Sequence, residues 1–198
     1  MSRKEIRRKK DEKGFTLIEL LVVAAIIGIL LAIAIPNLMK ARMSANEANA
    51  RKSMQTLRDA EGEYFEQDLD NNGQRDFIDN IGSLSDSPSL RAPDENENTE
   101  ENALIDSSFE GAVATGETAE CTDSKAGYCI KWDEAIVEAS QDSFDDFGWQ
   151  TSMTSYNKTG RRDFSVYGDG AIRCTVSSID TAGDPGAFDA DRESPGCD

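Results

Sequence analysis

The feature that most constrains this chain is an apolar run from Phe15 to Ile35, 21 residues broken only by Thr16, Glu19 and Gly28. At ~1.5 Å of rise per residue, a helix of this length matches the ~30 Å hydrocarbon core of a bilayer. Its two flanks differ. Arg3, Lys4, Arg7, Arg8, Lys9, Lys10 and Lys13 all lie upstream. Basic residues stay on the cytoplasmic side, so the run predicts a single span with its N-terminus inside and the rest of the chain exported. Glu19 is out of place there, because a carboxylate in a membrane helix is costly and needs a partner. A free amine on Phe15, four residues away on the same helix face, would supply one if the chain were cut after Gly14. The amine of a neighbouring copy would serve equally.

A basic leader, then Gly14-Phe15-Thr16-Leu17-Ile18-Glu19-Leu20, then an apolar helix with Pro36 near its end, resembles the cleavage and methylation site of type IV pilins and type II secretion pseudopilins. The resemblance implies that a prepilin peptidase cuts between Gly14 and Phe15 and N-methylates Phe15. It also implies that Glu19 pairs with the amine of an adjacent subunit as the helices bundle into a homo-oligomeric filament. Two other readings compete. One is a permanent single-pass anchor. The other is a secretory signal peptide cut near Ala32-Ile33-Ala34, but secretory apolar regions are ~7–15 residues and this one is longer. Neither accounts for Glu19.

Composition sharpens the picture of the exported part. Residues 1–14 hold seven of the 21 basic and three of the 38 acidic residues, leaving 14 against 35 and a net charge of −21. Such a surface repels nucleic acid and suits a soluble exterior or cation binding. After loss of residues 1–14 the chain has room for one long helix and one small domain.

Beyond the apolar run, Pro36 is expected to kink the helix without ending it. Gly28 is a second weak point. From Asn37 to about Gln67 the pattern turns amphipathic, with Ala50, Met54, Leu57 and Tyr64 at helical spacing as a core stripe. Residues 82–102 are rich in Ser, Pro, Asn, Asp and Glu and read as an acidic surface loop. Ala103-Leu104-Ile105-Asp106 re-enters a buried region. Four strands are predicted at Tyr128–Trp132, Trp149–Met153, Asp163–Tyr167 and Ala171–Val176, with Gly168-Asp169-Gly170 as a tight hairpin between the last two. The tail from Ser177 is expected to be loose without a crosslink.

The whole predicts an α+β, pilin-like fold. Residues 1–14 are a cleaved leader, 15–36 a transmembrane or filament-core helix, 37–67 its amphipathic half, and 68–198 a β-rich head in which the amphipathic half packs on a small antiparallel sheet of three to four strands.

Residues 68–79 place side-chain oxygens of Asp68, Asp70, Asn72, Asp76 and Asp79 at calcium-loop spacing, with Gly73 at the sharp turn and Gln74 offering a backbone carbonyl. A solvated turn on Asn72-Gly73 is the competing reading, because the exiting helix is broken and Asp79 replaces the longer glutamate. Calcium is thus the one cofactor the sequence raises.

Cys121, Cys129, Cys174 and Cys197 all lie in the exported part, and an even count there predicts two disulfides. With no histidine and no C-x-x-C, zinc is not expected. Of the three connectivities, Cys121–Cys129 with Cys174–Cys197 is favoured. The first bridge closes a short loop, and the second ties the tail to the last strand as in the resembled pilins.

Nothing in the chain points to catalysis. Without histidine the usual triads are unavailable. Ser155-x-x-Lys158 and Lys158-Thr159-Gly160 share one lysine and are a coincidence. Asn157-Lys158-Thr159 matches an N-glycosylation pattern of high background frequency. The expected role is a structural subunit of a type IV pilus-like filament, with prepilin peptidase and pilus or type II secretion machinery as partners. It would sit in the inner membrane with its head in the periplasm, then in a filament in the periplasm or on the surface. A pseudopilin is the near alternative, and an anchored domain that binds calcium or a partner is the distant one.

Overall fold

The computed structural model describes residues 14–67, 75–78, 81, 84, 104–133 and 145–197. The chain divides into two units, Met1–Met39 and Lys40–Asp198.

The described part of the first unit is the opening of helix α1, Leu17–Gln67. Leu, Ile, Val and Ala, with little polar interruption, give it both helix propensity and an apolar surface on every side. Every large apolar side chain from Phe15 to Met39 is exposed. Among the described residues, α1 is the one helix long and apolar enough to cross a membrane. The helix continues through Pro36.

The second unit is built on the amphipathic half of α1. Ala50, Met54, Leu57 and Tyr64 are buried, as the helical spacing predicts, and so are Ser53, Ala60 and Glu61 on the same face. They pack on a four-stranded antiparallel sheet in the order β1-β2-β3-β4. The strands are β1 Tyr128–Trp132, β2 Gly148–Met153, β3 Arg162–Tyr167 and β4 Ile172–Val176, each within one residue of its predicted bounds. A one-turn helix α2, Ser108–Gly111, precedes them and buries Phe109. Between β3 and β4 the turn closes through Gly170 N–H to Tyr167 O at 2.8 Å, with Gly170 at φ 73°. Only glycine takes up that conformation cheaply.

Register explains the burial. Thr151 lies opposite Phe164, and Phe164 opposite Cys174. Successive side chains on a strand point to opposite faces. Trp149, Phe164 and Val166 therefore join the core under α1, while Gln150, Ser152, Asp163 and Ser165 face away from it. All four are nevertheless buried. What covers them is the C-terminal segment. Gln150 Nε2 donates to Ala190 O at 2.9 Å, Asp189 N–H to Asp163 Oδ2 at 2.9 Å, and Ser165 Oγ to Asp191 O at 3.3 Å. Gly186 lies so close that a side chain there would collide with Ser152 Oγ and the Met153 sulfur. The sheet thus has one apolar face and one polar face, both covered.

Cys121 is bonded to Cys129 and Cys174 to Cys197. The second bridge is not all that holds the tail. Asp189 accepts hydrogen bonds from Ser177 Oγ and Ser178 Oγ, both at 3.1 Å, and Phe188 and Ala190 are buried. The loop expectation for 82–102 fails at Leu84, which is fully buried in the core. Leu84 O accepts Leu104 N–H at 3.0 Å and Ile105 N–H at 3.3 Å, which pins the re-entry at Ile105. The remainder of that stretch lies outside the described residues, as do Asp68, Asp70, Asn72, Gln74 and Asp79 of the candidate calcium loop. Asp76 of that loop is described and is buried.

Candidate functional site: the start of the long helix

Gly14, Phe15 and Thr16 precede the helix, and Phe15 is 84% exposed. Thr16 O accepts the amide of Leu20 at 3.4 Å, the first bond of the helical ladder, which makes Thr16 the N-cap. The Glu19 carboxylate reaches back to it. Glu19 Oε2 accepts Thr16 N–H at 2.8 Å and Thr16 Oγ–H at 2.6 Å, and Glu19 N–H points to Thr16 Oγ1 at 3.3 Å. This is a capping box, in which cap and third helical residue satisfy each other's amide. Its signature, Thr16-x-x-Glu19 before an apolar run, stands in the sequence. Read only as a costly charge in need of a partner, Glu19 hides this second role. The four exposed amides of a helix start also carry partial positive charge, which favours a carboxylate there.

The described contacts of the carboxylate all fall on Oε2, which leaves Oε1 outside the capping box. The site can therefore hold the helix start rigid and still present one oxygen to a cation. Among the described residues nothing within 4 Å would meet a side chain built on Gly14.

Among the described residues the head offers no comparable reactive arrangement. Asp163 is buried between Ser152 Oγ, which donates to it at 2.5 Å, and the Asp189 amide. Desolvation pushes its carboxyl up to about 6 against those hydrogen bonds. Glu61 is a second acidic residue that the sequence reading passed over. It occupies the core stripe one turn from Leu57 and is fully buried. An acidic residue at i+4 from one core position and i−3 from the next was the available signal. Among the described residues no group of three or more acidic or cysteine side chains is placed to hold a metal ion.

A long helix with an apolar first half and a capped acidic start, its second half packed on a four-stranded antiparallel sheet, defines the pilin-like α+β class. Residues 9–35 match the family model for the prokaryotic N-terminal methylation motif. The chain is 41% identical over 70 residues to the type IV major pilin protein PilA of Myxococcus xanthus, covering 35% of this chain and 30% of that protein. It is 63% identical over 38 residues to the type IV wide pilus major component PilA4 of Thermus thermophilus, covering 19% of this chain and 29% of that one. To the narrow pilus major component PilA5 of the same organism it is 50% identical over 48 residues, covering 24% and 41%. The matches thus span less than half of each curated relative. The chain carries the prepilin-type N-terminal segment of the type IV pilin family.

Proposed function

We propose that this chain is a structural, non-enzymatic subunit of a type IV pilus-like filament, assembled through α1 after removal of residues 1–14. The carrying observation is the exposure of every large apolar side chain from Phe15 to Met39 beside a separately packed head. Only lipid or other copies of the same helix relieve such a surface from water. The membrane holds the precursor, with its head in the periplasm, and the filament replaces the membrane. Moving Glu19 into an apolar bundle requires a positive charge within ~4–6 Å, or protonation. Oε1, outside the capping box, is the oxygen available to the amine of Phe15 on a neighbour. N-methylation leaves that amine charged. The relatives are pilus components by name, which favours a surface pilus over a type II secretion pseudopilus.

The reading is tested by mass spectrometry of the native protein and by filament shearing. The mature N-terminus is expected at N-methylated Phe15. Glu19→Val is expected to insert in the membrane and be processed, yet give no sheared filament. A mature chain starting at Met1 or Ile35 overturns the reading, and so does a normal filament yield from Glu19→Val. Filaments that stay in the periplasm would assign the pseudopilin role instead.

A further inference from the structure

An open groove of about 290 Å³ runs between α1 and the start of β3, lined by Ser44, Glu47, Ala48, Arg51, Arg162 and Phe164. Its charged walls are two guanidiniums and one carboxylate. That carboxylate, Glu47, is already held by the Arg161 amide at 3.0 Å. Arg58, further along the helix, is tied to Asp59 at 2.8 Å. Among the described residues the Arg51 and Arg162 side chains form no ion pair and no hydrogen bond. In a processed chain of net charge −21 this is an unusual local excess of positive charge.

Among the described residues a run of exposed acids lies on the other side of the sheet. Arg162 shares a strand face with Phe164 and Val166, the face under α1. The C-terminal segment covers the opposite face, through its bonds to Gln150, Asp163 and Ser165. It carries exposed Asp184, Asp191 and Glu193 against one basic residue, Arg192, which is paired with Asp146. With the sheet between them, groove and acidic segment of one chain cannot neutralise each other. Two different patches that are complementary only between copies make a head-to-tail contact, and where the rotation does not close a ring such contacts propagate into open filaments.

Resting on the filament reading above, we infer that the Arg51–Arg162 groove of one subunit seats the exposed carboxylates of the C-terminal segment of a second copy. Lipid phosphate is the other anion near this helix. Arg51 lies eleven residues beyond Lys40. That is ~16 Å along the axis at ~1.5 Å per residue, against a headgroup layer of ~5–8 Å. Phosphates therefore reach Lys40 and Arg42 and leave Arg51 for protein.

The test is a charge swap in cells, read as sheared filament relative to processed subunit. Arg51→Glu with Arg162→Glu is expected to lower filament yield about tenfold or more, because like charges then face each other across the contact. Asp184→Lys with Glu193→Lys is expected to do the same. The four substitutions together are expected to restore assembly. Should the glutamate pair fail to accumulate as processed subunit, Arg51→Gln with Arg162→Gln replaces it, with the same direction of effect. Normal yield from either groove variant overturns the inference, and so does failure of the four-fold variant to recover despite normal processed subunit. Absence of filament from the unmodified chain would instead strike the filament reading itself.

Discussion

Glu61 Oε1 on α1 accepts the indole N–H of Trp149 on β2 at 2.8 Å, 88 residues away in sequence and in the middle of the core. Its other oxygen accepts the amide of Ile78 at 3.1 Å. One carboxyl group therefore joins the helix, the sheet and the segment that follows the helix. Trp149 needs such a partner, because a buried indole N–H without an acceptor is costly.

Replacing Glu61 with Leu leaves both donors without this acceptor, at about 1–3 kcal/mol each. The Lys40–Asp198 unit is expected to lose about 2–6 kcal/mol of stability in urea titrations. Glu61→Gln keeps one acceptor oxygen and is expected to lose less. Equal losses for Leu and Gln would show that the acceptor oxygen kept by Gln restores nothing, against the hydrogen-bond account.

The capping box makes a prediction at the other end of α1. Thr16→Val keeps the β-branched shape and removes the hydroxyl that Glu19 Oε2 and the Glu19 amide use. The first helical turn is then expected to fray. In detergent-solubilised protein, amide exchange at Leu17, Ile18 and Glu19 should quicken while residues from Leu30 onward are unchanged. Unaltered exchange at Glu19 would count against the box.

The buried Asp163 predicts a pH dependence of unusual sign. Its carboxyl is raised by desolvation from 3.8 in the unfolded chain to about 6 in the folded one. Between those values the folded state binds the extra proton, so this group's contribution strengthens the fold as pH falls from above 6 to below 4. Two units correspond to on the order of 3 kcal/mol. Asp169 works in the opposite direction. Hydrogen bonding to Arg173 holds its carboxyl down to about 2, so its contribution is present above 4 and fades as pH falls. Asp169 is half exposed and therefore screened by solvent, so Asp163 dominates. Urea midpoints of the head at pH 4.5 and 7 are expected to differ less in Asp163→Asn than in the unmodified protein. An undiminished difference would assign the effect elsewhere.

The Cys174–Cys197 bridge spans 23 residues. By the loop-entropy relation a closed loop of this size is worth about 3 kcal/mol. Cys174→Ser with Cys197→Ser is expected to cost about that much. The segment should nonetheless remain on the sheet, because Asp163, Gln150 and Ser165 still hold it. Protease cleavage within 177–197 of the native double variant, as rapid as in unfolded protein, would show the bridge to be the sole fastening.

Much of this molecule was legible in the chain because it follows from local order. The apolar run and its basic flank set the span. The spacing of Ala50, Met54, Leu57 and Tyr64 set the buried helix face, and period-two alternation with Gly168-Asp169-Gly170 set the last hairpin. Each depends on residues a few positions apart, where sequence and geometry are nearly the same statement. Thr16 and Glu19 are equally local, and their spacing states the capping box in the sequence beside the charge. What tertiary structure alone decided concerns partners far apart in the chain. Alternation shows that Asp163 and Ser165 leave the core face, but water and a returning tail are equally good destinations for a polar side chain until the tail is placed. Glu61 looks like a surface residue until Trp149 arrives opposite it. The groove at Arg51 exists only because β3 brings Arg162 beside a helix more than a hundred residues earlier. A polar group is indifferent to the identity of its partner so long as the hydrogen bond or charge is satisfied, so no local pattern could name these pairs.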